Sequence, residues 1–177
     1  MHSLSSSDLS IRYATENDAT LLAKMGARMF KDAFGPANRP EDMEAYLAAN
    51  FSLTAIQAEL RDSSTTFLLA YKKSEPIGYA KLSDRKNPGC LSSSASIELA
   101  RIYIDYHITR RGYGAALMQA CLEEAERSGY KIIWLGVWED NKPAIRFYKR
   151  WGFRPVGTQK FVLGNDIQND LVMERDL

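Results

Sequence analysis

Cysteine is scarce in this 177-residue chain, and no long apolar run is present. Each scarcity removes a class of protein. The two cysteines, Cys90 and Cys121, show no metal-type spacing and build no disulfide framework, so neither a metal centre nor a cystine scaffold is expected. Cys121 stands among alanines and leucines and reads as a small core residue rather than a nucleophile. Nothing approaches 18 consecutive apolar residues, which excludes a spanning helix and leaves no membrane partner to expect. Met1–Ser10 lacks the apolar centre of a signal peptide, and residues 1–8 read as a flexible polar lead-in. These features point to the cytoplasm. A net charge of +1 gives no global reason to expect nucleic-acid binding.

Present instead are 45% hydrophobic and 25% charged residues, the balance of a soluble globular protein. The length suits a single domain over 1–177. Charge is unevenly placed. Residues 1–50 carry five Lys/Arg against seven Asp/Glu, while residues 101–160 carry eleven against six. A basic C-terminal half suits an anionic ligand and an acidic N-terminal part tolerates a cationic one, although solvated surface explains such fluctuations equally well.

The order of elements follows from periodicity. Ser10–Tyr13 is a short strand candidate. A helix capped by Thr15 runs to about Phe34, with Leu21, Leu22, Met25, Met29 and Phe30 as its apolar stripe, and Gly35-Pro36 breaks it. Arg39–Asn50 and Thr54–Asp62 read as two more helices. The period then changes. Thr66–Tyr71 and Ile77–Leu82 form a hairpin, and Ala95–Ile104 a long strand. A helix over Gly114–Ser128 ends at Gly129, and a buried strand covers Lys131–Trp138. A helix over Lys142–Trp151 ends at Gly152, and strands near Val156–Leu163 and Leu171–Glu174 close the chain. This pattern predicts an α/β fold, a mixed sheet with helices on both faces.

One segment carries chemistry. The strand ending at Ile104 leads through Thr109-Arg110-Arg111-Gly112-Tyr113-Gly114 directly into a helix. Glycines at a helix start let a ligand approach backbone N–H groups that lack intrahelical partners. The helix dipole and two arginines add positive charge, so a pyrophosphate or other anion fits there, with a tight turn carrying a surface arginine pair as the bland alternative. No Gly-Lys-Ser/Thr follows, which excludes a P-loop, and Leu117 stands where a dinucleotide fingerprint needs Gly or Ala.

Glu98–Leu122, with its apolar strand, Arg-Arg-Gly-Tyr-Gly-Ala and amphipathic helix, resembles the central motif of the GNAT superfamily of N-acetyltransferases. The run from Asn141 to Phe153 is similar to that family's second signature, and the resemblance extends from Leu9 to the end of the chain. Thr109 departs from the Gln or Arg that the family often has there. The resemblance implies a mostly antiparallel central sheet with helices on both faces, and acetyl-CoA as co-substrate without a metal. It also implies direct acetyl transfer with no covalent enzyme intermediate. It assigns the backbone of Ile102, Tyr103 and Ile104 to the pantetheine arm. Arg110, Arg111, Gly112, Tyr113, Gly114 and Ala115 would surround the pyrophosphate. Asn141 would hydrogen-bond the arm, although Asn there is also a plain helix N-cap. Tyr148, two helical turns on, would protonate the departing thiolate, with an aromatic core residue as the bland alternative. Glu98 is the candidate base working through water. In an extended strand it and Arg101, three apart, face opposite sides.

The runs Trp134–Asn141 and Phe161–Asp170 resemble the PaiA-type subgroup that acetylates polyamines, which implies spermidine or spermine as the acceptor. Asp32, Glu41, Asp42 and Glu44 in the N-terminal helices are the acids expected to attract such a polycation. Acetylation of a protein or peptide amino group, and a non-catalytic acyl-CoA-binding regulatory module, are the competing expectations. A homodimer is compatible with the sequence, and no feature requires one.

Overall fold

The computed structural model describes residues 8–84, 87–108 and 112–177, so most of the expected lead-in and the Thr109-Arg110-Arg111 triplet lie outside the described residues. The chain runs β1 (Leu9–Tyr13), α1 (Ala19–Phe34), α2 (Pro40–Asn50), α3 (Leu53–Arg61), β2 (Thr65–Lys72), β3 (Glu75–Ser83) and β4 (Ser96–Ile104). It continues with α4 (Tyr113–Arg127), β5 (Ile132–Trp138), α5 (Lys142–Arg150), β6 (Arg154–Leu163) and β7 (Asp166–Asp176). Seven strands form one sheet in the order β1-β2-β3-β4-β5-β7-β6. Every neighbouring pair is antiparallel except β4 with β5. The expected mixed, mostly antiparallel sheet is the fold observed.

Local chemistry explains the boundaries. The first expected helix is divided, because Glu16–Asp18 forms a single 3-10 turn before α1 begins. The Asp18 carboxylate accepts the Thr15 backbone N–H at 2.8 Å and is gripped by Arg12 at 2.9 Å. The Arg12 hydrogen bond is the main reason its pKa falls to about 2. Pro40 occupies the first turn of α2, where its missing N–H costs nothing. Ser52 caps α3 by accepting from the Ala55 N–H.

The helices bury their apolar stripes on opposite faces of the sheet. Leu22, Met29 and Phe30 of α1 and Ile56 of α3 pack with Leu69 and Tyr79 on one face. Leu117, Met118 and Cys121 of α4 pack with Leu99, Ile133 and Leu135 on the other. Cys121 is fully buried, and burial pushes its thiol pKa up to about 12, which leaves it inert.

The β6–β7 hairpin is longer than the sequence suggests, because polar Gln168, Asn169 and Asp170 continue the ladder. Its two-residue turn places Gly164 at φ +61°. The buried Asp42 carboxylate accepts the Asn165 N–H at 2.8 Å, so this acid pins the hairpin to α2.

Candidate active site

The relation of β4 to β5 opens the site. Their parallel pairing covers only Ser96↔Ile132, Ile97↔Ile133 and Glu98↔Trp134, after which the strands part. Backbone groups on the parted walls must find other partners, so the wedge is a natural place for a ligand with its own amides.

A bulge accompanies the parting. Leu82 faces Leu99 and Lys81 faces Arg101, which leaves Ala100 as the extra residue. Facing residues of an antiparallel pair point to one side of the sheet, and Lys81 and Ser83 share a side. Glu98, opposite Ser83, therefore shares that side with Arg101. The expectation that these two face opposite sides is corrected by this one inserted residue.

A cavity of about 340 Å3 occupies the wedge and crosses the sheet. On the α4–α5 face it is walled by Asn141, Ala144 and Tyr148. On the α1–α3 face it opens among Phe30, Phe34, Tyr46 and Phe161. Ile102, Tyr103 and Ile104 form its β4 wall and Gly136, Val137 and Trp138 its β5 wall. The structure thus brings together Ile102, Tyr103, Ile104, Asn141 and Tyr148 from the expected set.

Each of these is held by local structure. Tyr148 lies edge-on to Phe147 and Phe153, with ring centroids 5.6 and 5.9 Å away. Burial, with a smaller contribution from Cys121, pushes its phenol up to about 12, so it stays protonated at working pH. Asn141 does cap α5, its Oδ1 accepting the Ala144 N–H at 3.3 Å. That cap uses the oxygen, and the amide NH2 remains a donor for a ligand carbonyl.

Ile104 leads through a 3-10 turn, Tyr106–Ile108, to α4. Gly112 caps that helix in the left-handed region at φ +80°. The Ala116 N–H donates to Gly112 O, so the N–H groups of Tyr113, Gly114 and Ala115 come before the first intrahelical donor. The Tyr113 side chain is buried in the core, and only its backbone is placed for a ligand.

Glu98 is half-buried and is not among the described residues that line the cavity. It sits near Lys81, whose pKa is lowered by burial and raised in part by the Glu98 charge. The acids expected to line an acceptor groove are elsewhere. Asp32 pairs with Arg28 on α1, Asp42 holds the hairpin turn, and Glu41 and Glu44 are exposed. Asp170 is the single carboxylate among the described lining residues, and sequence reasoning missed it. Its signal was an acid two places before Val172 in the closing strand, at an inward position where an apolar residue is the rule. No group of three or more His, Cys, Asp or Glu among the described residues could hold a metal.

A parted parallel strand pair, a glycine-capped helix and a buried tyrosine match the arrangement that the resemblance to acetyltransferases implies. The sequence profile of the acetyltransferase (GNAT) family matches residues 27–153, and the chain belongs to that family. An uncharacterized N-acetyltransferase of Mycobacterium tuberculosis is 36% identical over 162 residues, covering 90% of this chain and 98% of the relative. A probable spermine N(1)-acetyltransferase of Bacillus subtilis is 34% identical over 71 residues, covering 40% of this chain and 47% of the relative. Among solved structures, the PaiA N-acetyltransferase of Thermoplasma acidophilum in complex with coenzyme A superposes with a TM-score of 0.76. It is 20% identical and covers 96% of this chain and 99% of its own, a likeness of fold.

Proposed function

We propose that this acetyltransferase moves the acetyl group of acetyl-CoA directly onto a primary amine that enters from the aromatic side of the sheet. The observation that carries this reading is a cavity lined from both faces of the sheet, with Tyr148 on one face and an amine-compatible aromatic chamber on the other. The wedge suits a pantetheine arm, which needs partners for its two amides. The backbone of Ile102, Tyr103 and Ile104 offers them, and the Asn141 NH2 adds a donor. The N–H groups of Gly114 and Ala115 and the dipole of α4 suit the pyrophosphate, with Arg110 and Arg111 next to them in sequence. Tyr148 gives its proton to the leaving thiolate, for which a buried, fully protonated phenol is suited.

The finer reading, a polyamine acceptor, is supported by the name of the Bacillus relative, which aligns over part of this chain, and by the PaiA neighbour. Aromatic faces attract ammonium groups, which also favours a cationic amine. Thiol release from acetyl-CoA, measured across spermidine, tyramine, an aminoglycoside and a peptide, tests both levels. Release with at least one amine supports transfer, and spermidine as the fastest acceptor supports the finer reading. Acetyl-CoA at 100 times its dissociation constant adds about 2.7 kcal/mol. In a domain of this size that raises the Tm by about 5–10 °C. No rise would remove the reading altogether.

A further inference from the structure

The acceptor must lose a proton before it can attack, and the expected carboxylate, Glu98, does not line the cavity. We propose that Asp170 is the group that receives the acceptor's ammonium and takes its proton, a role that rests on the acetyl transfer proposed above.

Asp170 lies on β7, facing Trp138 of β5 and Gln159 of β6, and is only 7% exposed. Its placement against the parted strand is close. A methyl group on Gly136 would come 3.1 Å from Asp170 Oδ2 and would overlap Gln159 Nε2. Glycine at 136 therefore lets a carboxylate lie over the β5 backbone at the point where the wedge opens. Trp134 and Gly136 alternate onto the face opposite Leu135 and Val137, which pack with α4 and α5. The carboxylate is thus on the acceptor side, across the sheet from Tyr148, with the wedge between them.

Arg101 and Lys81 converge on Glu59 beside the chamber. Arg101 bonds both Glu59 oxygens, at 2.8 and 3.1 Å, and lies over the Phe51 ring at 4.6 Å. Lys81 shares the same carboxylate, and the Glu98 charge acts on Lys81. The groups that share the cavity with Asp170 are Tyr46 of α2, Arg101 and Tyr103 of β4, Tyr148 of α5 and Gln168 of β7. Tyr46 senses both the Asp170 and the Arg101 charge. A buried carboxylate on the wall of an aromatic chamber complements an incoming ammonium in charge and in hydrogen bonding.

The step balances. The ammonium gives one proton to Asp170, and the freed nitrogen lone pair bonds the acetyl carbon as the carbon–sulfur bond breaks. The thiolate takes the Tyr148 proton, and the proton shed by the new amide nitrogen restores the phenol. Asp170 returns its proton to water.

The test is Asp170→Asn, which keeps the shape and removes the charge. With tyramine or spermidine at pH 7, kcat/KM should fall on the order of 10²–10⁴-fold. The KM for acetyl-CoA and the Tm rise it causes should not change. The loss should shrink steadily from pH 7 to 10, because the amine then arrives already deprotonated. A loss equal at every pH, or lost acetyl-CoA binding, assigns Asp170 to structure and overturns the proposal. So does unchanged activity. Should the variant not fold, wild-type enzyme decides. Tyramine should bind about tenfold or more tightly than its alcohol counterpart tyrosol, the size expected of one charge-assisted hydrogen bond. Equal binding overturns the proposal. A wild type that binds acetyl-CoA yet acetylates no amine removes the transfer reading and this one with it.

Discussion

Gly112 and Gly114 stand two residues apart at the start of α4 yet answer different constraints. Gly112 sits at φ +80°, which a side chain strains by about 1 kcal/mol. At Gly114 the nearest atom to an added methyl is Ile104 Cγ1 at 4.0 Å, an ordinary contact. Gly114→Ala should therefore leave the unliganded Tm unchanged within about 1 °C, whereas Gly112→Ala should lower it by about 2–4 °C. If a pyrophosphate approaches this turn, Gly114→Ala should still weaken acetyl-CoA binding, read as a smaller ligand-induced Tm rise. An undiminished rise would move the phosphates elsewhere. Tyr148→Phe is equally clean, because the ring contacts with Phe147 and Phe153 survive the loss of the hydroxyl. Its kcat should drop on the order of 10²–10⁴-fold with the acetyl-CoA response intact. Full activity would return Tyr148 to the core.

At the scale of elements, α3 is tied to the sheet by one carboxylate serving two cations. Glu59 meets Lys81 of β3 at 2.5 Å and Arg101 of β4 at 2.8 Å, all three largely buried. Glu59→Gln would leave two buried cations short of a partner, and thermal or urea unfolding should show a loss of about 3 kcal/mol. A change under 1 kcal/mol would mean that water already shares the cluster. The residues of this cluster show where sequence reading stops. Strand β4 itself was legible, because Ile97, Leu99, Ile102 and Ile104 are apolar and turn chemistry bounds them. The bulge at Ala100 was not, since one inserted residue leaves composition untouched and is defined only by the partner strand. With it went the facing of Glu98 against Arg101. The hairpin β6–β7 was foreshortened for a related reason. Gln168-Asn169-Asp170 has loop composition, and only pairing with Lys160, Gln159 and Trp138 makes it strand. The glycine turn and the Tyr148 helix were visible because their chemistry is local.

At the scale of the molecule, the wedge joins the two faces of the sheet, with Tyr148 on the α4–α5 side and Phe30, Tyr46 and Phe161 on the other. The glycine turn and the Tyr148 helix come from contiguous motifs, whereas the aromatic chamber gathers Phe30 and Tyr46 from two early helices and Phe161 and Asp170 from the closing hairpin. That difference changes what salt should do. Exposed acids at Asp32, Glu41 and Glu44 would attract a polycation through interactions screened over about 8–10 Å at physiological ionic strength. None of them lines the cavity, and the carboxylate that does is buried among aromatic rings, where salt screens little. The KM for a cationic acceptor should therefore change less than about twofold between 50 and 500 mM salt. Neutralising Glu41 and Glu44 together should leave it unchanged. Wild-type rates should rise less from pH 7 to 9 than those of Asp170→Asn, because Asp170 accepts the proton that the variant must wait for the amine to lose. Tyr148, held up to about 12, should impose no falling limb in that range. A KM that rises steeply with salt would place the acceptor's charges on the exposed helices α1 and α2 and enlarge the site beyond the chamber.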